Sequence, residues 1–249
     1  MEPRHSLVIP AYNEEAYLPR LLDTVDRARE QYHGGADTIE VIVADNTSTD
    51  RTAQIAGEPG CRVVTVEKRT IGSARNGGGR AALGEIVAFI DADSQIHPET
   101  FNEIDRALAD GRVIGGTTGI RFERWSFGLA CTYAMLVVAG ILLRGIRTVR
   151  DLNMDTGVVF CRRRDFESIG GYSEKRLWAE DVKILLDLRW LGWKRCQRLM
   201  RGTKAKAIFS TRKFDEYGDW HYFTMPLPLM WNSLRGRHEM ARRYWYERR

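Results

Sequence analysis

Three short apolar runs, each breaking off at a carboxylate or a polar turn, restrict what this chain can fold into. Ser6–Ile9 stops at Pro10-Ala11-Tyr12-Asn13-Glu14, Ile39–Ala44 stops at Asp45-Asn46, and Ile86–Ile90 runs straight into Asp91-Ala92-Asp93. An apolar run bounded by turn signals is the pattern of a strand covered on both faces. Cys61–Val66 has the same character. Helix signals lie between the runs. From Glu14 to about Tyr32, Leu18, Leu21, Leu22 and Val25 recur at helical spacing. Ser48-Thr49-Asp50 offers cap residues for a helix from about Arg51 to Ala56, and another helix starts near Gly72.

Strand and helix alternating in this rhythm predict an α/β fold, a mostly parallel sheet flanked by helices on both faces. In such sheets ligands bind beyond the carboxyl ends of the strands, so the three polar strand ends are expected to share one crevice. Carboxylates are rarely buried unless paired or bound to a metal. Asp91 and Asp93 therefore imply a positive partner at that edge.

Past Gly115-Gly116 the pattern is less regular. Gly157–Cys161 reads as a buried strand, followed by a helix near Arg164–Ile169 and a stop at Gly170-Gly171. Leu177–Leu191 reads as a helix with Glu180-Asp181 in its first turn. With no linker and no internal repeat, residues 1–249 are expected to form one domain in two parts, 1–115 and 116–220, with a basic aromatic tail at 221–249.

The formal charge is +5, and from Arg201 to Arg249 eleven Lys/Arg face five Asp/Glu. That favours anionic partners without choosing among nucleotides, phospholipid head groups and nucleic acid. Cys61, Cys131, Cys161 and Cys196 show no CxxC or Cys/His spacing, which argues against a zinc site or disulfide framework and fits a reducing compartment. The amino-terminal MEPRHSLVIPAYNEE becomes charged too soon for a signal peptide, so a cytoplasmic location is expected.

Trp125–Leu143 is free of charge over 19 residues, flanked by Arg124 and Arg144, a length at the threshold for spanning a bilayer. A single span here would put residues 1–120 and 155–220 on opposite sides of the membrane. A buried helix, or one lying on a membrane surface with basic flanks on head groups, is the expectation.

SLVIPAYNEE, VIVADNTSTDRT, IGSARNGG, IVAFIDADS and GVVFCRRRDFESIGGYSE…AEDVKILLDL occur in that order over roughly residues 5–192. Together they resemble a bacterial-type family 2 glycosyltransferase of the GT-A fold. A DxD pair alone is weak, but five blocks in order are specific. The resemblance implies a nucleotide-sugar donor bound by residues 1–115, with UDP favoured, and a hydroxyl acceptor on a small molecule or lipid facing 116–220. It also implies Mn2+ or Mg2+ and transfer that inverts the anomeric centre. A nucleic-acid partner is not expected, and the oligomeric state is left open.

A departing nucleoside diphosphate is a strong anion that needs a Lewis acid, and strand alternation puts Asp91 and Asp93 on the same side. By resemblance Asp93 holds the metal, Asp91 meets the ribose or the metal's waters, and Ala92 lies between them. Asp45 would accept a hydrogen bond from the base; its alternative is helix capping, for which Asp50 is better placed. Pro10, Ala11, Tyr12 and Glu14 line the first turn, with Tyr12 packing on the base, though Glu14 equally suits a helix start. Arg75 falls near the base and phosphates, or else pairs with Asp45.

Asp181, with Glu180 less favoured, matches the family's base for the acceptor hydroxyl; favourable charge at a helix start is the simpler alternative. His221 is a candidate third metal ligand, otherwise an ordinary packed or surface histidine. Arg212 and Lys213 are candidate phosphate contacts from a closing loop, while Trp125 and Trp178 are candidate sugar or lipid platforms. The tail suits a peripheral membrane contact, a solvated end or an oligomer contact.

Other readings remain. A retaining GT-A enzyme would use His221 on the metal, and a non-catalytic binding protein would keep the fold without the reaction. A nicotinamide dehydrogenase lacks support, because PAYNEE is not GxGxxG. Gly77-Gly78-Gly79 is not a P-loop without its Gly-Lys-Ser/Thr ending; it is expected to let the chain pass close to the sheet.

Overall fold

A computed structural model describes residues 2–58, 60–143, 156–175 and 180–220. Its strands are β1 (His5–Ala11), β2 (Ile39–Asp45), β3 (Arg62–Thr65), β4 (Ile86–Phe89), β5 (Val113–Phe122), β6 (Val159–Arg162) and β7 (Arg198–Phe209). They form one seven-stranded sheet in the order β3-β2-β1-β4-β6-β5-β7. β3, β2, β1 and β4 are mutually parallel, β6 runs antiparallel to both β4 and β5, and β7 is parallel to β5. The predicted mostly parallel sheet is present, with β6 as its one reversal among the described residues.

The helices are α1 (Leu18–Glu30), α2 (Thr52–Gly57), α3 (Ile71–Ala81), α4 (Thr100–Ala109), α5 (Phe127–Leu143), α6 (Arg163–Ser168), α7 (Glu180–Lys194) and α8 (Arg212–Tyr217). Strand alternation sorts the core into two layers. Leu7 and Ile9 of β1 pack with Leu21 and Val25 of α1 and with Phe101 and Ile104 of α4. Val8, between them in sequence, joins the layer of Phe89, Phe166, Ile184 and Leu188 on the other face. Each such side chain, fully buried, contributes about 1.5–3 kcal/mol relative to exposure.

The structure departs from expectation in four places. α1 begins at Leu18 rather than Glu14, because Asn13 takes a left-handed φ of 53° and Pro19 fits the first helical turn, where no amide hydrogen is needed. β5 crosses Gly115-Gly116, and β7 and α4 carry no strong sequence signal. A Cβ on Gly116 would lie 1.9 Å from the Met200 carbonyl oxygen, so the glycine admits the neighbouring strand. α5, expected either buried or lying on a membrane surface, is not buried along its length and so excludes only the first alternative: Leu129 and Thr132 are covered, but Phe127 is 78% and Leu142 70% exposed. Among the described residues no helix is long and apolar enough to cross a membrane.

Candidate active site

The parallel register sets the strand ends side by side. Ala11 pairs with Asp45 across β1 and β2, and Val8 with Phe89 across β1 and β4. Asn46 N–H donates to the Ala11 carbonyl at 2.8 Å, and Val66 N–H to that of Asp45 at 2.8 Å. Above these ends a crevice is lined by Pro10, Ala11, Tyr12 and Glu14 from the first turn and by Asp91, Ala92 and Asp93 from the fourth. Asp91 also lines a second cleft with Arg75, Asp181 and Thr156. Residues from opposite ends of the sequence are thus brought together.

Arg75, on α3, is buried and binds three carboxylates. Its Nη2 donates to Asp91 Oδ1 at 2.7 Å, and its Nη1 to Asp181 Oδ1 at 2.7 Å and Glu180 Oε1 at 3.2 Å. The guanidinium carbon sits 4.9 Å from the centre of the Tyr172 ring, within cation–π range. Burial alone would lower the Arg75 pKa, but Asp181, Asp91 and Glu180 outweigh it and hold the group protonated. No Arg75–Asp45 pair forms: the Asp45 carboxylate instead accepts from Ser48 N–H at 3.2 Å. Asp50 accepts from Thr52 N–H at 2.9 Å but stands one residue before the N-cap of α2, Arg51, which makes no side-chain capping bond.

The Asp181 carboxyl is pushed up to about 7. Burial is the main cause; Glu180 and Asp91 add to it, and Arg75 opposes them. About a quarter of the side chain (27%) still reaches solvent, against 11% for Glu180. Among the described residues Asp181 Oδ2 has no hydrogen-bond partner. A carboxylate held by one oxygen, open at the other and poised near neutrality is suited to proton transfer.

Arg212, at the start of α8, reaches the crevice from the far end of the sequence. Nη1 and Nη2 donate to Glu14 at 2.9 and 3.3 Å, and Nη2 lies 3.0 Å from Asp93 Oδ2. Its guanidinium covers the Tyr17 ring at 4.7 Å. Glu14 is thereby an ion-pair anchor, buried except at this contact. Arg69 covers the Tyr12 ring at 4.1 Å. Tyr17, Arg69 and Tyr172 are neighbours that the sequence does not single out, whereas Asn46, at the polar end of β2, lines the crevice. Tyr17 lies one turn beyond Glu14, and that spacing is the only local signal for it. His221, Trp178 and the tail lie outside the described residues; Trp125 is exposed, against Phe122.

Among the described residues no three His, Cys, Asp or Glu side chains form a metal-holding group. That does not conflict with a divalent ion of the Mg2+ or Mn2+ kind, which takes one or two carboxylates and completes its shell with phosphate oxygens and water. Asp93 fits such a role: Arg212 meets Oδ2, while Oδ1 has no partner among the described residues. Arg212 already pairs with this carboxylate, so an ion bound at Asp93 would compete with that guanidinium.

The sequence profile described as glycosyl transferase family 2 matches residues 6–172. The dolichol-phosphate mannosyltransferase of Pyrococcus furiosus is 29% identical over 64% of this chain and 46% of its own length. The solved mannosyltransferase PcManGT of Pyrobaculum calidifontis, in complex with GDP-Man and Mn2+, is similar at a TM-score of 0.63 and 23% identity, covering 84% of this chain and 57% of that one. Glucosyl-3-phosphoglycerate synthase of Mycobacterium tuberculosis, in complex with Mn2+, UDP and phosphoglyceric acid, is similar at 0.60 and 23%, covering 88% and 74%. The chain spans 31% to 61% of the length of the first curated relatives.

Proposed function

The chain belongs to glycosyl transferase family 2 and has the GT-A fold of its structural neighbours, and on that premise we propose a metal-dependent, inverting hexosyl transfer. The donor is a nucleoside diphosphate sugar, UDP in preference to GDP, and the acceptor is a hydroxyl on a small molecule or a lipid. One observation carries this reading: Asp91, in the crevice, and Asp181, an open carboxylate near neutrality, are held 2.7 Å from the two terminal nitrogens of one guanidinium.

The base of the nucleotide rests at the first turn, with Tyr12 against it and Asp45 accepting its ring N–H. Asp93, with Asp91 beside it, would hold Mg2+ or Mn2+, and the ion when bound would supply Lewis-acid neutralisation of the leaving diphosphate. Arg212, leaving Asp93, turns its fork to phosphate oxygens, with Lys213 beside it. Asp181 Oδ2 takes the acceptor hydroxyl proton. The acceptor oxygen bonds to C1 from the face opposite the diphosphate, and the C1–O bond breaks with its electron pair leaving on the nucleotide. Arg75 keeps Asp181 aimed and offsets the charge of the surrounding carboxylates. The exposed Phe127, Ile141 and Leu142 of α5 favour a peripheral membrane contact and a lipid acceptor.

Thermal shifts with UDP, GDP and their sugars, with and without Mn2+, identify the donor. Asp93→Ala should abolish the metal-dependent shift and sugar transfer. Transfer that survives unchanged in Asp93→Ala overturns the catalytic reading. A product of retained anomeric configuration removes the inverting step and favours the His221 alternative.

A further inference from the structure

A second cavity, of about 370 Å³, opens away from the crevice between α1, the segment after Asp93, and strands β5 and β7. Strand alternation separates the two. Ile120 of β5 and Ala207 and Phe209 of β7 line the cleft of Arg75 and Asp181, whereas Arg121, Lys204, Lys206 and Ile208 line the cavity. An occupant of the cavity is therefore on the far side of β5 and β7 from Asp181 and is not the molecule whose hydroxyl Asp181 deprotonates.

Among the described residues the charge in this cavity has no counterpart. Arg27 completes the set with Arg121, Lys204 and Lys206, and no described Asp or Glu lines the wall. Among the described residues none of these four cations is paired with a carboxylate; Arg27 Nε donates only to the Asp23 carbonyl, at 3.1 Å. The nearby Glu103 is committed elsewhere, accepting from the backbone N–H groups of Thr203, Lys204 and Ala205 at 3.0, 3.1 and 2.5 Å. That contact fixes the wall carrying Lys204 without neutralising it.

Four like charges around one concave space repel, and a multiply charged anion relieves that repulsion with charge-assisted hydrogen bonds. The neutral part of the wall adds selectivity. His97 Nδ1 accepts from Glu99 N–H at 3.1 Å, leaving Nε2 as its donor, and Ile96 and Ile208 supply an apolar side. The volume lies within the range of small-ligand pockets and exceeds what a bare phosphate needs.

We propose that this cavity is a second ligand site, binding a phosphate ester of sugar-phosphate size through Arg27, Arg121, Lys204 and Lys206. The site adjoins the crevice through Gln95, which exchanges two backbone hydrogen bonds with Ile208, at 3.0 and 2.9 Å, just after Asp93. The inference stands on this geometry and does not depend on the transfer reaction.

Calorimetric titration of the full chain with inorganic phosphate and with glucose 1-phosphate, in metal-free low-salt buffer, tests it. Glucose 1-phosphate should bind, more tightly than phosphate, and the exposed double variant K204E/K206E should weaken it at least tenfold. R121Q should weaken it about threefold, with an unchanged melting temperature. R212A, which alters only the crevice, should leave it intact. A parallel arm uses phosphatidylglycerol vesicles against phosphatidylcholine vesicles. Vesicle binding lost in K204E/K206E identifies a lipid headgroup as the phosphate source, and soluble binding alone identifies a free ester. No uptake in either arm overturns the proposal, as does uptake abolished by R212A but untouched by K204E/K206E.

Discussion

Arg75 is the side chain on which the most charge depends. Removing it takes from Asp91, Glu180 and Asp181 the guanidinium that they share. Breaking a buried ion pair from one side costs about 3–5 kcal/mol. The Asp91 side chain is 44% exposed and can recover water, so Arg75→Ala should lose about 3 kcal/mol in urea unfolding, near the bottom of that range. Arg75→Lys keeps the charge but not the fork, and should lower kcat more than stability. Asp181 yields a pH test with opposite signs for activity and stability. Its folded pKa of about 7 lies above its ordinary 3.8, so the folded state holds a proton that the unfolded chain releases. The stabilisation from that proton is full below 3.8 and lost as pH rises toward 7. The base works only when ionised, so kcat/KM should rise with unit slope up to about pH 7. Asp181→Asn should therefore melt higher than the native chain at pH 8 and match it at pH 4. It should also lose about 10²–10⁴ in kcat. An activity profile flat between pH 5 and 8 would show that Asp181 is not the base.

At the level of elements, α3 shows where propensity and packing disagree. Glycine in a helix interior costs about 1 kcal/mol relative to alanine, so Gly78→Ala would normally stabilise. Here a Cβ on Gly78 would lie 2.4 Å from Val8 Cγ1, and overpacking of that kind costs about 1–3 kcal/mol. The net expectation is a loss of about 1–2 kcal/mol, read as a lower urea midpoint at unchanged m. The glycine run is legible in sequence as a close approach to the sheet because nothing else explains three glycines where a helix is expected. β1 to β4 are legible for a related reason: a strand buried on both faces reads as an unbroken apolar run. β5 and β7 are not. β5 uses Gly115, Gly116, Thr117 and Thr118 in place of branched apolar residues, and β7 interleaves Lys204 and Lys206 with alanines, so each lacks the run that marks a strand. α1 is legible in its apolar face but not at its start, since the left-handed Asn13 delays the helix to Leu18 and leaves Glu14 ahead of it, paired with Arg212.

Over the whole molecule, the crevice is closed by contacts between chain segments that share no local spacing. That is why the aspartates and Glu14 can be picked out from sequence motifs while their pairing with Arg212 cannot. Arg212 joins α8 to Glu14 and Asp93, and its pKa is raised because the Glu14 hydrogen bond and the Asp93 charge outweigh burial. In this arrangement it occupies, as a cation, the position beside Asp93 assigned above to a divalent ion. Two consequences of opposite sign follow for Arg212→Ala. Mn2+ alone should bind more tightly, because the ion no longer displaces an internal competitor. A partly exposed ion pair is worth up to about 1 kcal/mol, which corresponds to about a fivefold gain in affinity. UDP bound together with Mn2+ should weaken instead, because the guanidinium released from Asp93 is then missing from the diphosphate, where a charge-assisted bond contributes about 1.5–3 kcal/mol. Manganese titration followed by electron paramagnetic resonance, with and without UDP, reads both affinities in one experiment. If both fall together, Arg212 is a structural anchor for Glu14 and nothing more; if both rise, it opposes the donor as well as the metal.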